Sequence, residues 1–242
     1  HFINRGLFYF GPTWNNSLSW VSSNFDEKYN KQNIKSFGLN KFGEEVIKVC
    51  NDNGVIVDVS HIGEKSFWDI AKISSKPFIA SHSSVYNLCP HFRNLKDDQI
   101  LSIKKSEGLI GLNPYPLFID SSFSKRQEEL RKKISYKIEQ IYSDEKKTNA
   151  IWIKKQHLFQ KEMRSIAPSV EVYIDHIEYI INLVGVDYVA LGHLHREQKV
   201  NSYEHVRYSG SPYPLSFSER NYHHSILSVN FKVKLISYGH YQ

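Results

Sequence analysis

Two histidines stand 21 residues apart in matching surroundings: Ser60-His61 follows one apolar run, Val55 to Val59, and Ser81-His82 follows another, Pro77 to Ala80. That separation is the length of one strand, one helix and their loops. Neighbouring parallel strands would bring both imidazoles to a common mouth. Neutral imidazole is a preferred zinc ligand, and a catalytic zinc takes about three protein ligands while leaving a position for water. Two histidines supply only part of such a set. The plain alternative is a pair of hydrogen-bonded rim histidines; the repeated Ser-His context favours ligation.

Two further features could join that chemistry. Arg93 lies in the loop after Cys89 and Pro90, before a helix start expected at Asp97. A loop guanidinium is ordinarily a solvated cation, but beside a metal mouth it suits bidentate capture of a carboxylate. A second histidine pair, His193 and His195, follows a fourth apolar run, Tyr188 to Leu191. Asp58, Ser83 and Asn113 complete the polar residues at strand ends.

The elements that must position these residues alternate. Leu109 to Leu112 is the remaining apolar run, and helical spacing fills the intervals: Phe42, Val46, Ile47 and Cys50, then Phe67, Ile70 and Ile73, then Ile100, Leu101 and Ile103. Asn40 is placed to cap the first helix and Gly54 to end it. Buried strands alternating with helices predict a parallel α/β sheet, either doubly wound or closed into a (β/α) barrel. In both, ligands gather at the carboxyl ends of the strands.

The interval from Asn113 to Val170 is long for a βα connection and reads as a helical excursion or a lid. Within it, Lys125 to Ser143 carries Leu130, Ile134, Ile138 and Ile141 on one stripe, and Ile151 to Ile166 is a second helical stretch. Val170 to Leu183 leads into the fourth run. Beyond Gly192 the texture changes to turn-rich RYSGSPYPLSFSE and the alternating SILSVNFKV. The expected division is a barrel-type unit over 1–186 and a small β-rich extension over 187–242.

Composition narrows the classes. With 242 residues, 40% hydrophobic and 23% charged, the chain can bury one sizeable core and is neither disordered nor fibrous. The net charge of +6 is modest, and its densest basic stretch, Lys125 to Lys133, is interleaved with Glu128 and Glu129, so charge alone implies no nucleic acid. The longest apolar stretch, Ile177 to Gly192, is interrupted by Glu178, Asn182 and Asp187 and falls short of the ~20 residues of a membrane span. Cys50 and Cys89 show no framework spacing, which predicts a reduced, cytoplasmic setting. The chain opens at His1 without secretory features and reads as processed or truncated.

Three ordered motifs, DVSH at Asp58 to His61, PFIASHSS at Pro77 to Ser84 and RNLKDD at Arg93 to Asp98, resemble the membrane (renal) dipeptidase family of zinc peptidases. GPTWNN at Gly11 to Asn16 and HIEYIINLVGVDYV at His176 to Val189 extend the likeness. The resemblance implies a (β/α) barrel with a binuclear zinc site, whose bridged water attacks the scissile carbonyl of a dipeptide. It implies that His61 and His82 are ligands of one zinc, that Arg93 holds the substrate carboxylate and that Asp58 supports the site without ligating. The family's His-x-Asp pair and bridging glutamate have no counterpart here, and Trp14 falls near the family's intermediate-stabilising histidine. An incomplete TIM-type barrel with an incomplete metal site, and an impaired dipeptidase, are therefore expected. A homodimer is compatible with this reading.

Where the family carries an acidic strand-end motif, this chain reads ALGHLHRE. That run, with RYSGSPYPLSFSE after it, resembles the nuclease subunit of bacterial double-strand-break exonucleases, which are calcineurin-like metallophosphoesterases. The second resemblance implies Mn²⁺ or another divalent cation at His193 and His195, with nucleic acid as substrate. The other motifs of that superfamily are absent. A join through a shared strand near 186–192 is the expectation, and a non-catalytic remnant is the third alternative.

Overall fold

The computed structural model describes residues 2–141 and 149–185, and the strands at 189–191, 198–200, 203–208, 226–230 and 235–239. Its first sheet is parallel, in the order β1 (Tyr9–Phe10), β2 (Ile56–Asp58), β3 (Phe78–Ile79). Tyr9 pairs with Ile56, and Val57 with Phe78. The third apolar run extends the sheet through a parallel bridge between Ala80 and Ile110. Gly111 makes that approach feasible, because a Cβ there would collide with the Ser81 carbonyl.

Helices α2 (Lys41–Asp52), α3 (Glu64–Ile73) and α4 (Asp97–Lys105) alternate with these strands. Their apolar stripes, with Ile47, Phe67, Ile70, Ile100 and Ile103 buried, meet Val57, Phe78 and Ala80 from the sheet in one core. Asn40 caps α2 as expected, its Oδ1 accepting from the Gly43 N–H at 3.0 Å. Gly54 takes a positive φ of 69° after the helix, and Val55 N–H returns to the Cys50 carbonyl before β2 begins. Cys50 and Cys89 are buried free thiols.

The long interval after Asn113 is a helical excursion. A short α1 (Asn24–Tyr29) lies before α2, while α5 (Pro116–Ile119), α6 (Phe123–Ile141) and α7 (Asn149–Glu162) follow the sheet. Leu130, Ile134 and Ile138 of α6 pack with Ile151 and Phe159 of α7 in a second, separate apolar cluster. The chain then returns through α8 (Val170–Val184), whose Ile180 and Val184 join the main core. His176 of α8 is fully buried and satisfied at both nitrogens: Val85 N–H donates to Nδ1 at 3.0 Å, and Nε2 donates to the Ile119 carbonyl at 3.1 Å. It is a structural pin between α8, the loop after β3 and α5.

The sheet's first strand, β1, is a two-residue, half-exposed strand with no buried apolar run to announce it. One expectation is corrected. The fourth run forms β4 (Val189–Leu191), but among the described residues β4 pairs in parallel with β6 (Tyr203–Tyr208), not with the first sheet. A strand's polar backbone is satisfied by whichever neighbour is in register, and β6 supplies three register pairs. β5 (Gln198–Val200) lies antiparallel to β6, and β7 (Ile226–Asn230) pairs antiparallel with β8 (Leu235–Gly239).

Candidate functional site

His61 and His82 follow the carboxyl ends of β2 and β3, and their rings converge. The two Nε2 atoms are 3.0 Å apart, with ring centroids at 5.0 Å and planes inclined by 54°. The backbone fixes both residues. The His61 carbonyl accepts from the Asn24 N–H at 2.9 Å, and the His82 N–H donates to Ser60 Oγ at 3.1 Å.

Asp58, the last residue of β2, organises the ground beneath them. Its Oδ2 accepts from the Tyr9 hydroxyl at 2.5 Å and from Ser81 Oγ at 2.6 Å. Its Oδ1 accepts from Ser60 Oγ at 2.7 Å and from the Ser60 and Ser81 N–H groups, both at 3.0 Å. Burial alone would raise this carboxyl's pKa, but the hydrogen bonds from Ser81, Tyr9 and Ser60 together hold it below the usual range. It stays a carboxylate.

That charge propagates to His82. Ser81 spends its single proton on Asp58, so at 2.6 Å from His82 Nδ1 the same oxygen accepts. His82 is thereby the Nδ1–H tautomer, with its Nε2 lone pair turned towards His61. Burial, reinforced by the Arg93 charge, lowers the pKa of His82; burial, Arg93 and His82 push that of His61 down to about 4. Both rings are neutral at pH 7, the state in which imidazole ligates.

Arg93 is 5% exposed, and among the described residues it forms no ion pair. Its Nε donates to the Ser60 carbonyl at 3.0 Å, its guanidinium carbon lies 5.5 Å from the Phe118 ring centroid, and its Nη2 has no partner among the described residues. Burial pushes its pKa down to about 10, which leaves it charged at neutral pH. Arg93 also lines a cavity of about 350 Å³ together with Ser60, Ser83 and Asn24. The neighbouring His91 is neutral, held to about 4 by burial first, then Arg93 and Lys28.

The sequence-predicted residues thus separate into groups. His61, His82 and Asp58 meet in one network, and Arg93 stands beside it through Ser60. Trp14 is 70% exposed, its ring centroid 6.3 Å from that of His61. His193 and His195 lie outside the described residues. Tyr9, Asn24 and the role of Ser81 were missed; the doubled Ser-His pattern was the only sequence sign of the last.

The donor set fits a cation in part. Two neutral imidazole nitrogens face each other, and His61 Nδ1 is buried without a partner among the described residues. Two nitrogens on one tetrahedral zinc at ~2.0–2.1 Å would stand roughly 3.3 Å apart, a small adjustment from the observed pair. Among the described residues, no group of three or more His, Cys, Asp or Glu side chains assembles for a metal ion.

A short parallel sheet flanked by helices, with polar side chains gathered beyond the strands' carboxyl ends, defines a mixed α/β, TIM-barrel-like protein. Its solved likenesses agree: the probable dipeptidase PvdM from Pseudomonas aeruginosa matches with TM-score 0.54 and 23% identity, over 78% of this chain and 51% of that one. A metallo peptidase from Rhodobacter sphaeroides, liganded with a phosphinate mimic of the dipeptide L-Ala-D-Ala, matches with TM-score 0.53 and 24% identity, over 78% of this chain and 43% of that one. The family profile "Membrane dipeptidase (Peptidase family M19)" matches residues 1–207, and the chain belongs to that family.

Among curated relatives, an uncharacterized protein in the pqqA 5′ region of Klebsiella pneumoniae is 30% identical over 191 residues, covering 79% of this chain and 56% of the relative. An uncharacterized protein in the PQQ-III 3′ region of Acinetobacter calcoaceticus is 38% identical over 112 residues, covering 46% of this chain and 35% of the relative. Dipeptidase aclJ of Aspergillus oryzae is 28% identical over 155 residues, covering 64% of this chain and 27% of the relative. The chain therefore spans between about a quarter and a little over half the length of these relatives. Among the described residues, no helix is long and apolar enough to cross a membrane.

Proposed function

We propose that this chain is a zinc-dependent dipeptidase of reduced capacity, with His61 and His82 holding one zinc ion and Arg93 holding the α-carboxylate of a dipeptide. The observation that carries the reading is the 3.0 Å approach of two neutral imidazole Nε2 atoms beyond adjacent parallel strands. Membership of the membrane dipeptidase family supports it.

When bound, zinc polarises a carbonyl oxygen and lowers the pKa of a water molecule. The protein's own residues do the rest. Asp58, through Ser81, holds the proton on His82 Nδ1 and so keeps Nε2 free. Arg93 arrives buried and without a carboxylate partner among the described residues, so a substrate carboxylate meets a guanidinium already stripped of water. These 242 residues contribute two histidine ligands to the reading, which corresponds to one ion per chain, loosely held. The phosphoesterase alternative at His193 and His195, with Mn²⁺ and nucleic acid, rests on sequence motifs alone.

The test joins elemental analysis to turnover. Purified protein equilibrated with zinc is expected to retain about one ion per chain and to hydrolyse a simple dipeptide slowly. His61→Ala and His82→Ala should each abolish both. Hydrolysis that survives either substitution would remove the reading.

A further inference from the structure

Among the described residues the Arg93 side chain makes one hydrogen bond, from Nε to the Ser60 carbonyl, which leaves a long side chain thinly held. Its backbone N–H has no main-chain acceptor there and donates instead to His91 Nδ1, at 3.2 Å. A ring that accepts at Nδ1 carries its proton on Nε2. Burial holds this imidazole neutral, so the acceptor stays available at pH 7.

The same ring reaches the other end of Arg93 by a second route. His91 lies against Phe118 of α5, with centroids 4.6 Å apart and planes inclined by 37°, and against Phe92 at 4.4 Å and 32°. Phe118 is the ring that the Arg93 guanidinium approaches at 5.5 Å, within the range of a cation–π contact. Asn94 ties these residues together, its N–H donating to the His91 carbonyl at 2.9 Å and its Nδ2 to the Phe118 carbonyl at 2.7 Å. A phenyl ring at position 91 would supply the stacking alone and an amide the acceptor alone; imidazole supplies both.

We propose that His91 is a positioning residue for Arg93: its Nδ1 fixes the arginine's backbone and its ring seats Phe118, so that the guanidinium is presented in one orientation. The inference rests on the reading of Arg93 as the residue that holds the substrate carboxylate, and adds the residue that orients it. A planar fork held in place before the ligand arrives loses less conformational entropy for each hydrogen bond it then makes.

Titration calorimetry on the full chain in excess chelator measures binding without turnover. The probes are glycyl-L-alanine and glycyl-L-alaninamide, which lacks the carboxylate. The native chain should bind the acid at least about tenfold more tightly than the amide. His91→Ala should cut that ratio at least about fivefold, weakening the acid and leaving the amide unchanged. His91→Asn, whose Oδ1 takes the place of Nδ1, and His91→Phe, which keeps the stacking, should each recover part of the ratio. Should His91→Ala fail to fold by circular dichroism, these two variants carry the test, each expected to fall at least about twofold below the native ratio.

A native ratio retained in the folded variants would overturn the inference and spare the role of Arg93. Acid and amide weakened alike by His91→Ala would overturn it as well, since a residue that only stabilises the fold acts on both probes. Equal affinity of the native chain for acid and amide, or binding of neither, would overturn both the role of Arg93 and that of His91.

Discussion

Tyr9 reaches from the opening strand across to Asp58, its hydroxyl 2.5 Å from Oδ2, so the weakest-looking strand of the sheet steadies the carboxylate beneath the histidine pair. Tyr9→Phe removes one of five hydrogen bonds to that buried carboxylate. A hydrogen bond to a charged group contributes roughly 1.5–3 kcal/mol. Because Tyr9 is 41% exposed, the loss should fall at the lower end, read from urea denaturation at pH 7.

The same network sets an acid limit. Asp58 has a folded pKa below its unfolded value, so its contribution is present above the unfolded carboxylate range and is lost as pH falls through the folded pKa. Tyr9→Phe removes a bond that depresses this pKa, so the variant's carboxylate should protonate at a higher pH than in the native chain. A denaturation series from pH 6 to pH 2.5 checks it.

Histidines give a second, higher window. His61 and His91 sit at about 4 in the folded chain, against about 6.5 in the unfolded chain. Between those values the unfolded state binds more protons, so stability rises with pH through the window and falls as pH drops from 6.5 towards 4. His91→Gln, which cannot take up a proton, should flatten the slope of urea midpoint against pH, whereas an unchanged slope would contradict the burial assigned to His91.

Ser81 transmits the Asp58 charge to His82, and outer contacts of this kind commonly change metal affinity by about 10–100-fold. Ser81→Ala should weaken zinc binding within that range by competition with a chelating dye. Ser81→Thr, which keeps a hydroxyl, should recover most of it. In the metal-free protein, the imidazole ¹⁵N shifts of His82 should report Nδ1–H in the native chain and a tautomer mixture in Ser81→Ala.

His176 provides the contrast, a histidine satisfied on both nitrogens and remote in role from the pair. His176→Ala leaves the Val85 N–H and the Ile119 carbonyl unpaired and opens a cavity, for a cost of about 3–5 kcal/mol. Zinc affinity of the folded fraction should be unchanged.

The sequence carried the parts of this arrangement that follow from period and position. Continuous apolar runs located β2, β3 and the Ile110 bridge, and the repeated Ser-His context located the converging rings. β1 escaped because a two-residue, half-exposed strand has no periodicity to read, and Tyr9 escaped with it. The pairing of β4 with β6 depends on register between distant segments, which local pattern does not encode. Asn24 and Ser83 have no periodicity or motif of their own; that each buries a polar atom without a partner among the described residues is a property of packing.

Anomalous diffraction at the zinc edge from crystals of the zinc-equilibrated chain tests the central claim most directly. The account predicts one strong peak at ~2.0–2.1 Å from Nε2 of both His61 and His82. A zinc-loaded crystal with no density between those two rings, or with the ion held elsewhere, would contradict it.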